Sequence, residues 1–241
     1  QFYKKQIMLD LFGQAIKDYY EHKSKGMLRT ETNISEMDDF PMEILFRSYE
    51  QMNKLEQKAL ELAYGKVADI GCGTGSHSLY LQNERHLDVT AIDISRNATE
   101  VAKNRGVRKV ICMDYMELSN EVFDTILLMM NGSGLFRSLD AIDFHLQKLH
   151  QLLSPEGSIF LDSTDILYMY NQDLGNEYEL PFSKKYYGEV EFTVHYGNQK
   201  ENFPWLYLDK NTLENAAYNN YFYSEVILED EFSFLAKLTK I

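Results

Sequence analysis

Apolar and polar positions change rhythm twice along this chain. Met8, Leu11, Phe12, Ala15, Ile16 and Tyr19 recur at helical spacing and predict an amphipathic helix over residues 2–22. Residues 23–40 are polar and unpatterned and read as a loop. Asp38 and Asp39 before Pro41 read as a helix start, with a helical segment over 41–64 that breaks near Arg47 and Ser48 and stops at Gly65. From residue 66 the pattern alternates strictly. Strands are predicted at 66–70, 88–93, 109–114, 123–130 and 158–162, and helices at 75–83, 95–105 and 138–153, with "SPEG" (154–157) as a turn. The run at 123–130 is apolar throughout, as in a strand buried on both faces. Such alternation implies a parallel sheet with helices on both sides. After residue 162 the rhythm changes again. Residues 163–187 are polar and tyrosine-rich, 189–197 alternates like an exposed strand, and 203–209 reads as its hairpin partner. A helix at 210–220 precedes two adjacent strands, which predict an antiparallel pair at one sheet edge.

The stretch "VADIGCGTGSHSLYLQ" (67–82) carries the chemistry. Gly71, Gly73 and Gly75 lie between the first strand and a helix, where bare backbone lets N–H groups approach a ligand and the helix start favours a negative group. A dinucleotide fingerprint needs a third glycine at position 76, which is Ser76, and no Gly-Lys-Ser/Thr follows for a phosphate loop. In an open parallel sheet, ligands bind beyond the carboxyl ends of the strands. The second strand ends in Asp93, about 20 residues past the loop, where a carboxylate can accept from both hydroxyls of a ribose. The third ends in Asp114 and Tyr115, where a carboxylate can accept from an adenine amino group.

"VADIGCGTG", "AIDIS", "VICMDYMEL" and "FDTILLMMNGSGLF" resemble the successive motifs of class I S-adenosylmethionine-dependent methyltransferases over residues 66–162. The resemblance implies an α/β fold: a Rossmann-like, doubly wound, seven-stranded, mostly parallel sheet with an antiparallel last strand. It implies a helical lid over 1–64, a core over 65–241 and a small β insertion at about 163–209. Residue by residue, Asp69 and the loop Gly71, Cys72, Gly73 and Gly75 would hold the methionine part of S-adenosyl-L-methionine. Asp93 would take the ribose, Ile94 would pack on the adenine, and Asp114 would meet the adenine amino group beside Tyr115. Asn131 would line the methyl-transfer end. The segments "FGQAIKDYYE" and "ILFRSYEQM" resemble lid helices of small-molecule members, with Tyr20 and Arg47, and Tyr19 beside them, as candidates. "NGSG" stands where amino-group methyltransferases of DNA or protein glutamine carry their own motif, which leaves an O, N or C acceptor open.

Composition narrows this picture. A net charge of −13 repels phosphate backbones, so a small-molecule acceptor is expected rather than nucleic acid. The two cysteines, Cys72 and Cys112, do not form a disulfide framework, and no apolar stretch reaches the ~18 residues of a membrane span. A cytoplasmic monomer or homodimer is expected, without a signal peptide, although a chain beginning at Gln1 leaves a trimmed N-terminus open. His145 and His150 do not share a helical face and no metal site is expected. His77 follows the glycines as a candidate for the cofactor carboxylate or a helix-surface residue. Asp162 and Asp165 follow the fifth strand as candidates for a base or an amine contact. Two other functions stay open on sequence: a non-catalytic S-adenosylmethionine-binding protein, and a nicotinamide-dependent oxidoreductase, against which the Ser76 spacing speaks.

Overall fold

A computed structural model describes residues 9–170 and 185–241. The chain enters through helix α1 (Leu11–Tyr20), which buries Leu11, Ala15 and Ile16 on one stripe, as its spacing predicts. Met8 and residues 171–184, part of the tyrosine-rich stretch, lie outside the described residues. The segment read as a loop is instead a hairpin of β1 (Leu28–Thr32) and β2 (Ser35–Phe40), and Asp38 and Asp39 sit in β2 rather than at a helix start. Its sequence carries no apolar alternation because β2 is an exposed edge strand, whose acidic side chains discourage pairing with another chain. The expected helix over 41–64 breaks further than Arg47 and Ser48. Two 3₁₀ turns, Met42–Leu45 and Tyr49–Gln51, precede α2 (Lys54–Leu62), which starts on an Asn53/Glu56 capping box.

The alternating region then folds as expected. β3 (Lys66–Ile70), α3 (Ser76–Asn83), β4 (Asp88–Asp93), α4 (Arg96–Asn104), β5 (Val110–Cys112), β6 (Phe123–Leu128), α5 (Ile142–Leu152) and β7 (Leu153–Thr164) follow in order. β7 is longer than its sequence pattern. Leu153 pairs with Phe123 and Ser158 with Thr125, so Ser154–Gly157 form an irregularity within the strand rather than a turn before it. Two further strands, β8 (Glu189–Tyr196) and β9 (Gln199–Leu206), form a hairpin, and α6 (Lys210–Asn219) leads to β10 (Phe222–Asp230) and β11 (Ser233–Lys240). The main sheet has seven strands in the order β10-β11-β7-β6-β3-β4-β5, with β11 antiparallel to both neighbours. Phe123, Ile126, Leu127 and Leu128 of β6 are fully buried between the helical layers.

The hairpin β8-β9 pairs with the N-terminal hairpin through β1, giving a second, four-stranded antiparallel sheet in the order β2-β1-β8-β9. Arg29 pairs with His195 across the length of the chain. One face of this sheet packs Leu28, Val194 and Tyr196 on Leu11, Ala15 and Ile16 of α1. Glu201 of β9 accepts from the Leu9 and Leu11 N–H groups at 2.7 and 2.8 Å, and so caps the start of α1. The N-terminal segment and the insertion are thus one outer unit.

Candidate functional site

The parallel strands β5, β4, β3, β6 and β7 bring Asp114, Asp93, the glycine loop, Asn131 and Asp162 side by side along the carboxyl edge of the sheet. The loop is held from behind. The Gly71 and Cys72 N–H groups both donate to Ile92 O, at 2.8 and 3.1 Å. Gly73 has φ 52°, and a Cβ there would meet nothing within 4 Å, so its bare side faces open space. Gly75 has φ 80° and packs where a Cβ would lie 2.6 Å from Val107. Cys72 turns its side chain into a pocket of Ala91, Ala102 and Val107, where burial pushes the thiol up, so only its backbone belongs to the loop surface. Asp69 is buried beneath the loop and accepts from Ser78 Oγ at 2.6 Å.

Asp93 accepts from the Gly73 N–H with Oδ2 and from the Ser95 N–H with Oδ1, both at 2.8 Å. Ser95 caps α4 through the Ala98 N–H, so Asp93 is not the cap. A carboxylate has about four lone-pair sites, so two remain for a diol. Burial pushes the Asp93 carboxyl up, against the two N–H bonds. Ile94 beside it is an exposed apolar side chain, 46% accessible, on the same ledge. Asp114 accepts from the Met116 N–H at 3.0 Å and faces Arg137 at 3.9 Å. Tyr115 departs from its neighbours: its phenol is buried and bonded to Nδ1 of His145, so its side chain belongs to the core and only its backbone stands beside Asp114.

Met130 and Asn131 are consecutive non-glycine residues at φ 64° and 60°. Such backbone persists only where its surroundings fix it. Asp162 does so, accepting from the N–H groups of Asn131 and Gly132 at 3.0 and 3.2 Å, while Thr164 Oγ1 donates to Asn131 Oδ1 at 2.7 Å. Both Asp162 oxygens are committed to backbone, and burial lifts its carboxyl to about 6. Asp165 accepts from the Tyr187 hydroxyl and the Leu167 N–H. The sequence offered one of these two acids as a base or amine contact, or as a turn acid; Asp162 holds the turn at Asn131 and Gly132, and both Asp165 bonds use Oδ1.

The outer unit rests on these loops. The Leu45 carbonyl accepts from Thr74 Oγ1 and, at 2.7 Å, from Ser76 Oγ. Arg105, which sequence reading missed, donates to Thr74 O at 2.8 Å and stacks on Phe46. Asp10 accepts from the Asn97 backbone and side chain, and a Cβ on Gly13 would lie 2.1 Å from Ser95 Oγ, so α1 packs directly beside the Asp93 turn. On the other side Trp205 lies so close to Gly134 that a Cβ there would be 1.8 Å from the indole. Tyr20 stacks on Phe46, with ring centroids 6.3 Å apart. Tyr19, Glu43, Ile44, Phe46, Arg47 and Gln51 line an open cleft of about 400 Å³. Arg47 is ion-paired to Glu56, a buried acid whose capping-box spacing gave no sign of that role.

This fold is similar over almost its whole length to a solved protein of Bacteroides fragilis. That structure, an S-adenosylmethionine-dependent methyltransferase in complex with S-adenosyl-L-homocysteine, is 38% identical, with a TM-score of 0.87 over 96% of this chain and 94% of that one. The chain belongs to the S-adenosylmethionine-dependent methyltransferase family. The family's methyltransferase domain model matches residues 67–157, the span from β3 into β7. The methyltransferase GfsG of Streptomyces halstedii is 28% identical over 103 residues, 41% of this chain and 37% of that protein. A demethylmenaquinone methyltransferase of Leptospira interrogans is 31% identical over 107 residues, 40% of this chain and 41% of that protein. The matches to these two thus span about two fifths of each relative. The protein is therefore an S-adenosylmethionine-dependent methyltransferase, and the open glycine face at Gly73 and the free lone pairs of Asp93 fit the cofactor its family uses.

Proposed function

We propose that this methyltransferase alkylates a small-molecule acceptor held between the carboxyl edge of the sheet and the outer unit. Asp69 and the Gly71–Gly75 backbone hold the methionine part of the cofactor, Asp93 the ribose hydroxyls, and Ile94 and Asp114 the adenine, with the Tyr115 backbone beside it. Asn131, fixed by Asp162 and Thr164, lines the methyl end, and Tyr20 and Arg47 close the site from the outer unit. When bound, S-adenosylmethionine supplies a methyl group already activated by its sulfonium. The chain's work is then to align the acceptor and exclude water. The observation that carries the small-molecule reading is the bolting of the outer unit to the loops through Leu45, Arg105, Asp10 and Trp205. Beside these contacts Tyr19, Phe46 and Arg47 of the outer unit line the open cleft of about 400 Å³, a size suited to a small ligand rather than a polymer. The net charge of −13 supports the same exclusion of nucleic acid.

No helix among the described residues is long and apolar enough to cross a membrane. Together with Cys72 and Cys112 as free thiols, this supports a cytoplasmic setting. The test is transfer of isotope-labelled methyl from S-adenosylmethionine to fractions of a small-molecule extract, with protein and RNA fractions in parallel. Label in a small-molecule fraction, lost on Asp93→Ala, supports the reading; label only in a macromolecular fraction overturns it.

A further inference from the structure

Glu56 is fully buried, yet none of the roles above uses it. Its Oε2 accepts from Arg47 Nη2 and from the Asn53 N–H at 3.2 Å, and its Oε1 lies 2.8 Å from His77 Nε2. The two cationic partners come from different places. Arg47 lies between the two 3₁₀ turns, two residues after Leu45, whose carbonyl meets Thr74 and Ser76, and it lines the open cleft. His77 sits in the first turn of α3, two residues past Gly75. One carboxylate thus ties the outer unit to the helix that leaves the glycine loop.

The charges around this point are not evenly matched. Burial would push the Glu56 carboxyl up, but His77 and Arg47 hold it at about 2. Glu56 and Asp69 raise His77 against its own desolvation and against Arg47. Asp162 is the other acid whose charge couples to His77. Arg47 and, when protonated, His77 therefore share Glu56, while Asp69 is buried beneath the loop and bonded to Ser78. The methionine end of the cofactor is zwitterionic. An acid beneath the loop and a cation pair beside it match an ammonium and a carboxylate on one α-carbon.

We propose that Glu56 is a positioning residue of the cofactor site, holding Arg47 and His77 as an oriented cationic pair for the carboxylate of the methionine end. The proposal rests on the placement of that end at the glycine loop. A guanidinium and an imidazolium with no shared acceptor would repel each other and turn to solvent. With Glu56 between them each has one direction fixed, and their remaining N–H groups are oriented before the ligand arrives. A purely structural strut would make the same bonds without changing cofactor affinity, and this difference can be measured.

S-adenosylhomocysteine is titrated calorimetrically into wild type, Glu56→Gln, Arg47→Met, the double variant and Asp93→Ala, and the His77 imidazole is followed by NMR in wild type with and without this ligand. Each single variant at 47 and 56 is expected to weaken binding about tenfold. The double variant should fall well short of the hundredfold that independent effects would give, since Glu56 acts partly through Arg47. The His77 nitrogens should shift on saturation. Unchanged affinity in a folded Glu56→Gln, a full hundredfold loss in the double variant, or unmoved His77 signals would each overturn the proposal. If Glu56→Gln does not fold, the wild-type His77 signals decide. Asp93→Ala separates the two levels: if it binds as tightly as wild type, the cofactor placement itself fails, whereas a weakened Asp93→Ala beside an unaffected Glu56→Gln sinks only the role of Glu56.

Discussion

The carboxyl edge of the main sheet and the outer unit that rests on it are built in opposite ways. Three turns of the edge are held by groups from their own strand or the next one. Asp93 holds Gly73 and Ser95, Ile92 holds Gly71 and Cys72, and Asp162 holds Asn131 and Gly132. The outer unit is assembled from opposite ends of the chain: β1 lies between β2 and β8, and Glu201 caps a helix that starts at Leu11. The edge turns are tied between residues no more than 31 positions apart, whereas the Leu11–Glu201 contact of the outer unit joins residues 190 positions apart. Substitutions in the edge should therefore act on ligand affinity at once, and those in the outer unit on local stability first.

The largest effect is expected at Asp93. In the proposed placement Asp93→Ala removes the acceptor of a ribose diol, and a hydrogen bond to a charged group contributes ~1.5–3 kcal/mol. Affinity for S-adenosylhomocysteine should fall roughly 10- to 1000-fold, at ~1.4 kcal/mol per factor of ten. The structure adds a cost that an idle acid would not carry. The Gly73 and Ser95 N–H groups lose their acceptor too, so stability should drop by about 1–3 kcal/mol, with Asp93→Asn intermediate in both. Calorimetry beside urea unfolding separates the two, and an affinity equal to wild type would show that the edge does not hold the ribose.

Asp162 gives the next effect, through pH. Its folded carboxyl lies at about 6, above the ~3.9 of an unfolded Asp, so the native state binds the proton more tightly. Its contribution is full below pH ~4 and is lost as pH rises through about 6, a fall of about 3 kcal/mol. Glu56 runs the other way: with a folded value of about 2, it contributes above pH ~4.3 and loses that contribution as pH falls towards 2. Stability should therefore rise from about pH 2 to 4 and its slope should turn down from 4 to 6. Asp162→Asn should flatten only the second limb. Urea melts at stepped pH check this, and a second limb unchanged in Asp162→Asn would assign it to another group.

Smaller effects belong to the outer unit. Trp205→Ala removes the indole from Gly134, and for a half-buried aromatic about 2 kcal/mol is expected. The loss should come mainly as faster hydrogen exchange in β8 and β9, with the sheet-edge loops unchanged; equal loosening of both regions would break the comparison. Glu201→Ala uncaps α1 and should cost about 1 kcal/mol, read as fraying of its first turn in exchange data.

What the sequence made legible follows the same divide. The order of strands and helices, and the placement of Gly71, Gly73, Gly75, Asp93, Asp114 and Asn131 at the carboxyl ends, could be read because each depends on neighbours a few residues away. Residues 23–40 could not be read as strands, because their apolar partners Val194 and Tyr196 lie far along the chain and β2 faces solvent. Tyr115 was placed beside Asp114, but the pattern could not show that its ring turns inward to His145. Glu56 was hidden for a related reason. Asn53 and Glu56 spell a helix start, which predicts a surface residue, and only the arrival of Arg47 and His77 buries it.

Hydrogen exchange on wild type, with and without saturating S-adenosylhomocysteine, tests the central claim that edge and outer unit form one site. Protection should increase in the loops at 71–75, 93–97, 114–116 and 130–132, and also in α1 and the segment 42–51. NADH at the same concentration should protect none of these. Protection confined to the sheet loops, with α1 and 42–51 unchanged, would mean that the outer unit takes no part in holding the cofactor and would contradict the account.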